Sequence, residues 1–171
     1  VLLINALVAH FEGTPVDVLP GMSIILIPVL NPDGLVRGRN ADGRFNANNV
    51  DLNRNWSCDW SADAYWRQKK VNPGARPFSE PETAALSAFI QQMRPTAALF
   101  YHSAANGIFE GTCNDKVDSV QLAAVLSDAS GYPYGKPFTA YAVSGTESNW
   151  ADGQGILSAD VELAGTRNAE F

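Results

Sequence analysis

The chain has 171 residues, with 12 Lys+Arg against 18 Asp+Glu, a net charge of −6, and only two histidines. Its length is that of one ordinary domain, enough to bury a real core. A hydrophobic share of 46% with 18% charged residues marks a globular chain rather than a disordered one. The acidic balance and the absence of a basic tract argue against nucleic-acid binding. No apolar stretch approaches a membrane span: the longest, Ile24 to Leu30, is strand-sized and contains Pro28.

In chain order, Val1 to Phe11 reads as a buried helix. No Ser, Thr, Asp or Asn precedes it as an N-cap, so the chain is expected to begin inside an element. After a loop with Pro15 and Pro20, Met22 to Val29 is a continuous apolar run of the kind found in a strand covered on both faces. It stops at the turn signal Asn31-Pro32-Asp33-Gly34. Leu35 to Pro77 reads as one long loop, rich in Asn, Gly and Asp, of a length that is usually functional or firmly pinned. Pro81-Glu82-Thr83 opens a helix to about Met93. Ala97 to Tyr101 follows as a second buried strand, with His102 just past its end. Val117 to Ala129 reads as a helix, Gly131 to Gly145 as a loop, Asn149 to Gln154 as a short helix, and Ile156 to Leu163 as a last strand carrying Glu162. Phe171 follows a short polar segment with no cap or tail. Alternating strands and helices predict an α/β fold with a mixed, largely parallel central sheet flanked by helices. The reading is of a single domain, 1–171, incomplete and clipped at both ends. In such sheets ligands bind beyond the carboxyl ends of strands, which puts the Asn31 turn, His102 and Glu162 on one rim.

Cys58 and Cys113 are too far apart for a zinc knuckle or a Cys-x-x-Cys redox motif. They read as two buried thiols or as one disulfide tying two polar loops. The disulfide is the expectation, and it implies an oxidising compartment.

The segment Arg44-Phe45-Asn46-Ala47-Asn48-Asn49-Val50-Asp51-Leu52-Asn53-Arg54-Asn55-Trp56 packs two guanidinium forks among amides and carboxylates. A guanidinium is always charged and matches a carboxylate in shape, so the run reads as a grip for an anion. Solvated loop arginines and a turn-forming Asn53 are the plainer alternatives. His102 is a candidate metal ligand at the sheet rim, because neutral imidazole binds zinc well. Alternation along Ala159-Asp160-Val161-Glu162-Leu163 puts Asp160 and Glu162 on one face. A carboxylate buried there needs either a partner or a catalytic task. Tyr141 could be a core aromatic with its hydroxyl satisfied. Glu80 and Glu82 read as helix N-terminal charges, and His10 as structural.

The set Asn31-Pro32-Asp33-Gly34, Arg44, Val50 to Trp56, Pro77 to Thr83, His102-Ser103, Tyr141 to Trp150 and Glu162 resembles the zinc carboxypeptidases of the carboxypeptidase A type. The resemblance implies that His102 is a zinc ligand and that Asn53 and Arg54 bind the carboxylate ending a peptide. It implies that Arg44 stabilises the oxyanion of the scissile carbonyl and that Glu162 is the general base and later proton donor. Tyr141 would close over the substrate terminus, and Ser148, with Glu147 beside it, would face the substrate side chain. The family's His-x-x-Glu zinc motif is absent here, so two further Zn²⁺ ligands are expected upstream of Val1. The expected function is hydrolysis of the C-terminal peptide bond of peptides with a free carboxylate, in an extracellular or periplasmic setting. The alternatives are a metal-free module that binds peptide termini, and an amidase or deacylase of the same superfamily. No Gly-x-Ser-x-Gly elbow supports serine hydrolase chemistry.

Overall fold

The computed structural model describes residues 1–38, 41–113, 118–135 and 141–165. The start read for the helix at Val117, part of the Gly131 to Gly145 loop, and the polar C-terminal segment lie outside the described residues. The helices are α1 (Leu2–Gly13), α2 (Pro32–Arg37), α3 (Pro81–Met93), α4 (Ser119–Ser130) and α5 (Glu147–Gly153). The strands are β1 (Ala64–Trp66), β2 (Lys69–Val71), β3 (Ala97–Ser103), β4 (Gly107–Glu110) and β5 (Leu157–Leu163).

The central sheet has the order β3-β5-β4, with β3 parallel and β4 antiparallel to β5, so it is mixed as expected. β5 is its middle strand, and one apolar cluster packs on each face. Ala98 and Phe100 join Trp56, Ile90, Trp150, Ala151 and Ile156 in one cluster; Leu99, Ile108, Ala123 and Ala159 belong to the other. This is the alternation of side chains along a strand. In the first cluster the rings of Trp56 and Trp150 lie 5.0 Å apart, with Phe78 edge-on to both. Cys58 and Cys113 are joined as a disulfide at the margin of this cluster, as expected.

Local sequence explains most of the helix boundaries. The Asn31 turn signal is an N-cap: its Oδ1 accepts from Gly34 N at 2.8 Å, Pro32 holds the first helical position, and α2 follows. Asp118 caps α4 by accepting from Gln121 N, and Thr146 caps α5 by accepting from Asn149 N. The final helix therefore starts at Glu147, two residues earlier than its apolar pattern suggests.

Several readings are corrected. Met22 to Val29 forms no strand; Met22, Ile24, Ile25 and Ile27 are 56%, 43%, 48% and 44% exposed. A strand needs a paired neighbour for its backbone groups, and no described residue supplies one. α1 is not buried either: Leu3 and Ile4 are covered, while Val1 and Leu2 are about half exposed. His102 lies inside β3, not past it, because the ladder with β5 continues to Ser103. The long loop contains the β1–β2 hairpin and short 3-10 turns at Ala41–Arg44 and Leu52–Arg54. β4 was not read from the sequence at all; it is four residues long and is held by pairing with β5.

Candidate active site

The Arg44–Trp56 segment is held in place by its own polar side chains. Asp51, only 1% exposed, caps the Leu52–Arg54 turn by accepting from Asn53 N, and its other oxygen meets Arg44 Nε at 2.5 Å. One buried carboxylate thus sets Arg44, Asn53 and Arg54 relative to one another. Arg44 also lies over the Trp66 ring, 5.0 Å from its centroid, a favourable cation–π placement. Asn55 is fully buried: its Nδ2 donates to the carbonyls of Pro73 and Arg76 and to Ser79 Oγ, and its Oδ1 accepts from Glu80 N and Thr83 Oγ1. Glu80 accepts from Asn46, Asn48 and Ser79. Glu80, read from the sequence as a helix-end charge, is an anchor that ties the loop to α3.

Arg54 is 2% exposed; its Nε donates to Tyr65 O at 3.0 Å and an Nη donates to Asn53 O. Burial pulls its guanidinium down from the ordinary value, Asp51 opposes that, and nearby Arg44 adds to it; the group stays charged regardless. Asn53 Oδ1 is buried without a donor, which leaves Nδ2 as the end of the amide open to the cavity.

This basic run is clamped to the segment that carries the acids. Trp56 N donates to Gly145 O at 3.1 Å, and Gly145 has φ +60°. A Cβ at Gly145 would lie 2.6 Å from Arg54 O, so only glycine allows the approach. Gly145 leads through Thr146 into α5 and places Glu147.

Opposite stand His102, Asp160 and Glu162. Parallel pairing puts His102 level with Glu162 and Phe100 level with Asp160, all on the face of the Trp56 cluster. Ala105 N donates to Glu162 Oε2 at 3.2 Å. His102 Nε2 lies 2.6 Å from Glu147 Oε1 and 3.7 Å from Asp160 Oδ1, charge contacts that are not aligned as hydrogen bonds. Burial pushes the imidazole down, but the charge and contact of Glu147, then Asp160 and Glu162, outweigh this and raise it to about 9. Asp160 is raised to about 7, chiefly by burial and further by Glu147 and Glu162, against the opposing His102 and the Ser148 hydroxyl.

A cavity of about 1110 Å³ joins the two groups; Arg44, Asn53, Arg54, Tyr141, His102, Asp160 and Glu162 all line it. Ser148 is 1% exposed and donates to Asp160 Oδ2 at 2.8 Å, so it reaches the cavity wall through Asp160. Two acids carry more of the site than the sequence reading gave them. The sequence pattern marks Asp160 only as sharing a face with Glu162, and Glu147 only as a neighbour of Ser148; the signal for both is a carboxylate inside an otherwise apolar or capped segment.

The fold and the cavity define a class: a mixed α/β protein whose sheet rim sets an imidazole and acids across a cavity from two arginines and an amide. The chain belongs to the zinc carboxypeptidase family; the family model Peptidase_M14, zinc carboxypeptidase, matches residues 1–171. Carboxypeptidase O of Bos taurus is 27% identical over 165 residues, covering 81% of this chain and 44% of that protein. Murein peptide amidase A of Escherichia coli is 36% identical over 83 residues, 43% of this chain and 33% of the relative. The chain thus spans less than half the length of either. Among solved structures, a murein-tripeptide amidase from Escherichia coli O157 superposes with TM-score 0.62 at 27% identity, over 80% of this chain and 57% of that one. Carboxypeptidase A from Helicoverpa armigera superposes with TM-score 0.68 at 24% identity, over 99% and 51%, a likeness of fold.

The family implies zinc, and the residues present fit it. Imidazole and carboxylate are zinc donors, and His102, Glu147 and Asp160 bring a ring nitrogen and two carboxylate oxygens within 4.8 Å of one another.

Proposed function

We propose that the full-length protein is a zinc-dependent carboxypeptidase that hydrolyses the C-terminal peptide bond of peptides with a free carboxylate. The observation that carries this reading is one cavity with a cationic grip on one wall and an imidazole with Glu162 on the other. His102 would hold the metal, together with two ligands from outside residues 1–171, as one domain completed by a further segment. When bound, zinc supplies Lewis-acid polarisation of the scissile carbonyl and of water.

The chain's own residues do the rest. Asn53 Nδ2 and the guanidinium of Arg54 bind the substrate's terminal carboxylate, the kind of charged, planar anion such donors match best. Arg44 Nε is taken by Asp51, so its terminal nitrogens donate to the carbonyl oxygen as negative charge develops there. Glu162 accepts a proton from the attacking water and passes it to the leaving amine. Its Oε2 is already steadied by Ala105 N, which leaves Oε1 for the proton. Tyr141 covers the substrate terminus, and Ser148 acts on the substrate side chain through Asp160. The Cys58–Cys113 disulfide supports an extracellular or periplasmic setting.

A second reading is an amidase acting on cell-wall-type peptides, favoured by the 36% identity to murein peptide amidase A. One assay separates the readings. Full-length protein is offered a peptide with a free C-terminus, the same peptide C-terminally amidated, and a murein tripeptide. Cleavage of the first alone supports the carboxypeptidase; cleavage of the murein peptide alone supports the amidase; equal cleavage of the free and amidated peptides overturns the role of Asn53 and Arg54.

A further inference from the structure

The β1–β2 hairpin brings to the cavity two cations that the proposed reaction does not use. Ala64 pairs with Val71 and Trp66 with Lys69, and directly opposed residues share a face of an antiparallel pair. Ala64 and Val71 are buried at the base of that face, while Trp66, Arg67 and Lys69 line the cavity. Lys70 lies on the other face and is paired with Asp63 at 2.5 Å. Arg67 and Lys69 are exposed and form no ion pair with any described residue. Arg44 and Arg67 each bring a guanidinium to 5.0 Å from the Trp66 ring centroid, so the two cations lie no more than twice that distance apart. Trp66 thereby links Arg67 to the residue that faces the scissile carbonyl. Arg67 is also the first of the two turn residues and has φ +58°. Hairpin turns ordinarily place Gly, Asn or Asp at such a position, because a bulkier side chain is costly there. An arginine held against its backbone preference points to use of its side chain.

We infer that Arg67 and Lys69 form a second anion subsite, which takes a carboxylate carried by the substrate on the amino side of the scissile bond. This rests on the carboxypeptidase reading above. With the terminal carboxylate on Asn53 and Arg54 and the scissile carbonyl on Arg44, the rest of the substrate runs on past Trp66 toward Arg67. The separation allowed between Arg44 and Arg67 is the length of about three extended residues, so the carboxylate belongs to one of the three residues before the bond cut. The acids that line the cavity, Glu110, Asp160 and Glu162, come from β4 and β5 and not from the hairpin, which leaves the hairpin cations open to an anion. The substrate class is a peptide with an acidic group just before its last bond. An Asp or Glu side chain supplies that group, and so does the free α-carboxylate of a γ-linked glutamate.

The test is kcat/KM of the zinc-loaded full-length protein on two peptides with the same free C-terminal residue, one with Glu and one with Gln at the three positions before the scissile bond. The Glu peptide should be cut about 3–10-fold better, the worth of two exposed ion pairs, and the advantage should shrink as salt is raised. Arg67→Asn combined with Lys69→Gln should bring the two peptides level. Equal kcat/KM for both peptides in the parent, or an advantage that survives the double variant, overturns the subsite. Asn suits a left-handed backbone, so Arg67→Asn should melt no lower than the parent; a lower melting temperature would make Arg67 a structural residue and overturn its assignment. A third peptide, joined through a γ-linked glutamate with a free α-carboxylate, separates the two sources: faster cleavage than the Glu peptide assigns the subsite to the backbone carboxylate, slower cleavage to the side chain. Cleavage of none of the peptides refutes the carboxypeptidase reading, and calorimetric binding of the Glu and Gln peptides then decides the subsite by itself.

Discussion

The two walls of the cavity are built in opposite ways. The basic wall of Arg44, Asn53 and Arg54 comes from one short stretch of chain, and most of its geometry is set by Asp51, itself part of that stretch. The acidic wall draws His102 and Glu162 from two parallel strands and Asp160 from the second of these, with Glu147 of α5 standing 2.6 Å from His102 off that wall. Arginines need no help to stay charged, so their wall asks only for placement. Carboxylates and an imidazole change character with burial and neighbours, so their wall exists only once the sheet and α5 are packed. Between them run two clamps, the Gly145 contact with the Arg54–Trp56 backbone and the Cys58–Cys113 disulfide.

Breaking either wall should therefore look different. Glu162→Gln in the full-length protein should lower turnover by about 10²–10⁴-fold with zinc content unchanged, read by steady-state kinetics beside metal analysis. Near-normal turnover would remove Glu162 from the role of base. Removing the disulfide by paired Cys58→Ala and Cys113→Ala substitution should lower unfolding stability by about 2–5 kcal/mol in denaturant titration. Asn53→Ala should raise KM about 10–100-fold for a free C-terminus, the worth of a hydrogen bond to a charged group, with little change in kcat. An equal effect on the amidated peptide would contradict carboxylate binding. Gly145→Ala should destabilise by about 1–3 kcal/mol, because its φ of +60° and its contact with Arg54 O both resist a Cβ.

The smallest expected effect is on pH. In metal-free protein His102 sits at about 9, above its unfolded value near 6.5. A folded pKa that is raised gives stability that is complete below the unfolded pKa and lost as pH climbs through the folded one. Metal-free protein should thus melt at progressively lower temperature between pH 6.5 and 9, and His102→Gln should flatten that slope. A parent whose melting temperature is level or rising across this window would show that Glu147 does not hold a protonated His102.

Legibility in the sequence followed the same division. α3 is readable because Pro81 and Glu82 mark its start, and it runs to Met93 as expected. β5 and the shared face of Asp160 and Glu162 follow from strict alternation. The reading failed where pairing decides: Met22 to Val29 has the composition of a strand and no partner among the described residues, while Gly107–Glu110 has little strand character and is paired by β5. Composition reports what a strand could bury, but the ladder depends on what lies beside it.

From sequence alone, then, came the family likeness and Arg44, Asn53, Arg54, His102, Tyr141 and Glu162 as residues that meet in one cavity, because caps, turns and motif spacing are written over a few residues. Tertiary structure decided that Glu147 stands 2.6 Å from His102, that Asp160 and not Ser148 meets the cavity, and that burial and neighbouring charge move His102 and Asp160 up from their usual values. Those properties belong to distances and burial among groups far apart in the chain, and they come into being only when β3, β5 and α5 close on one another.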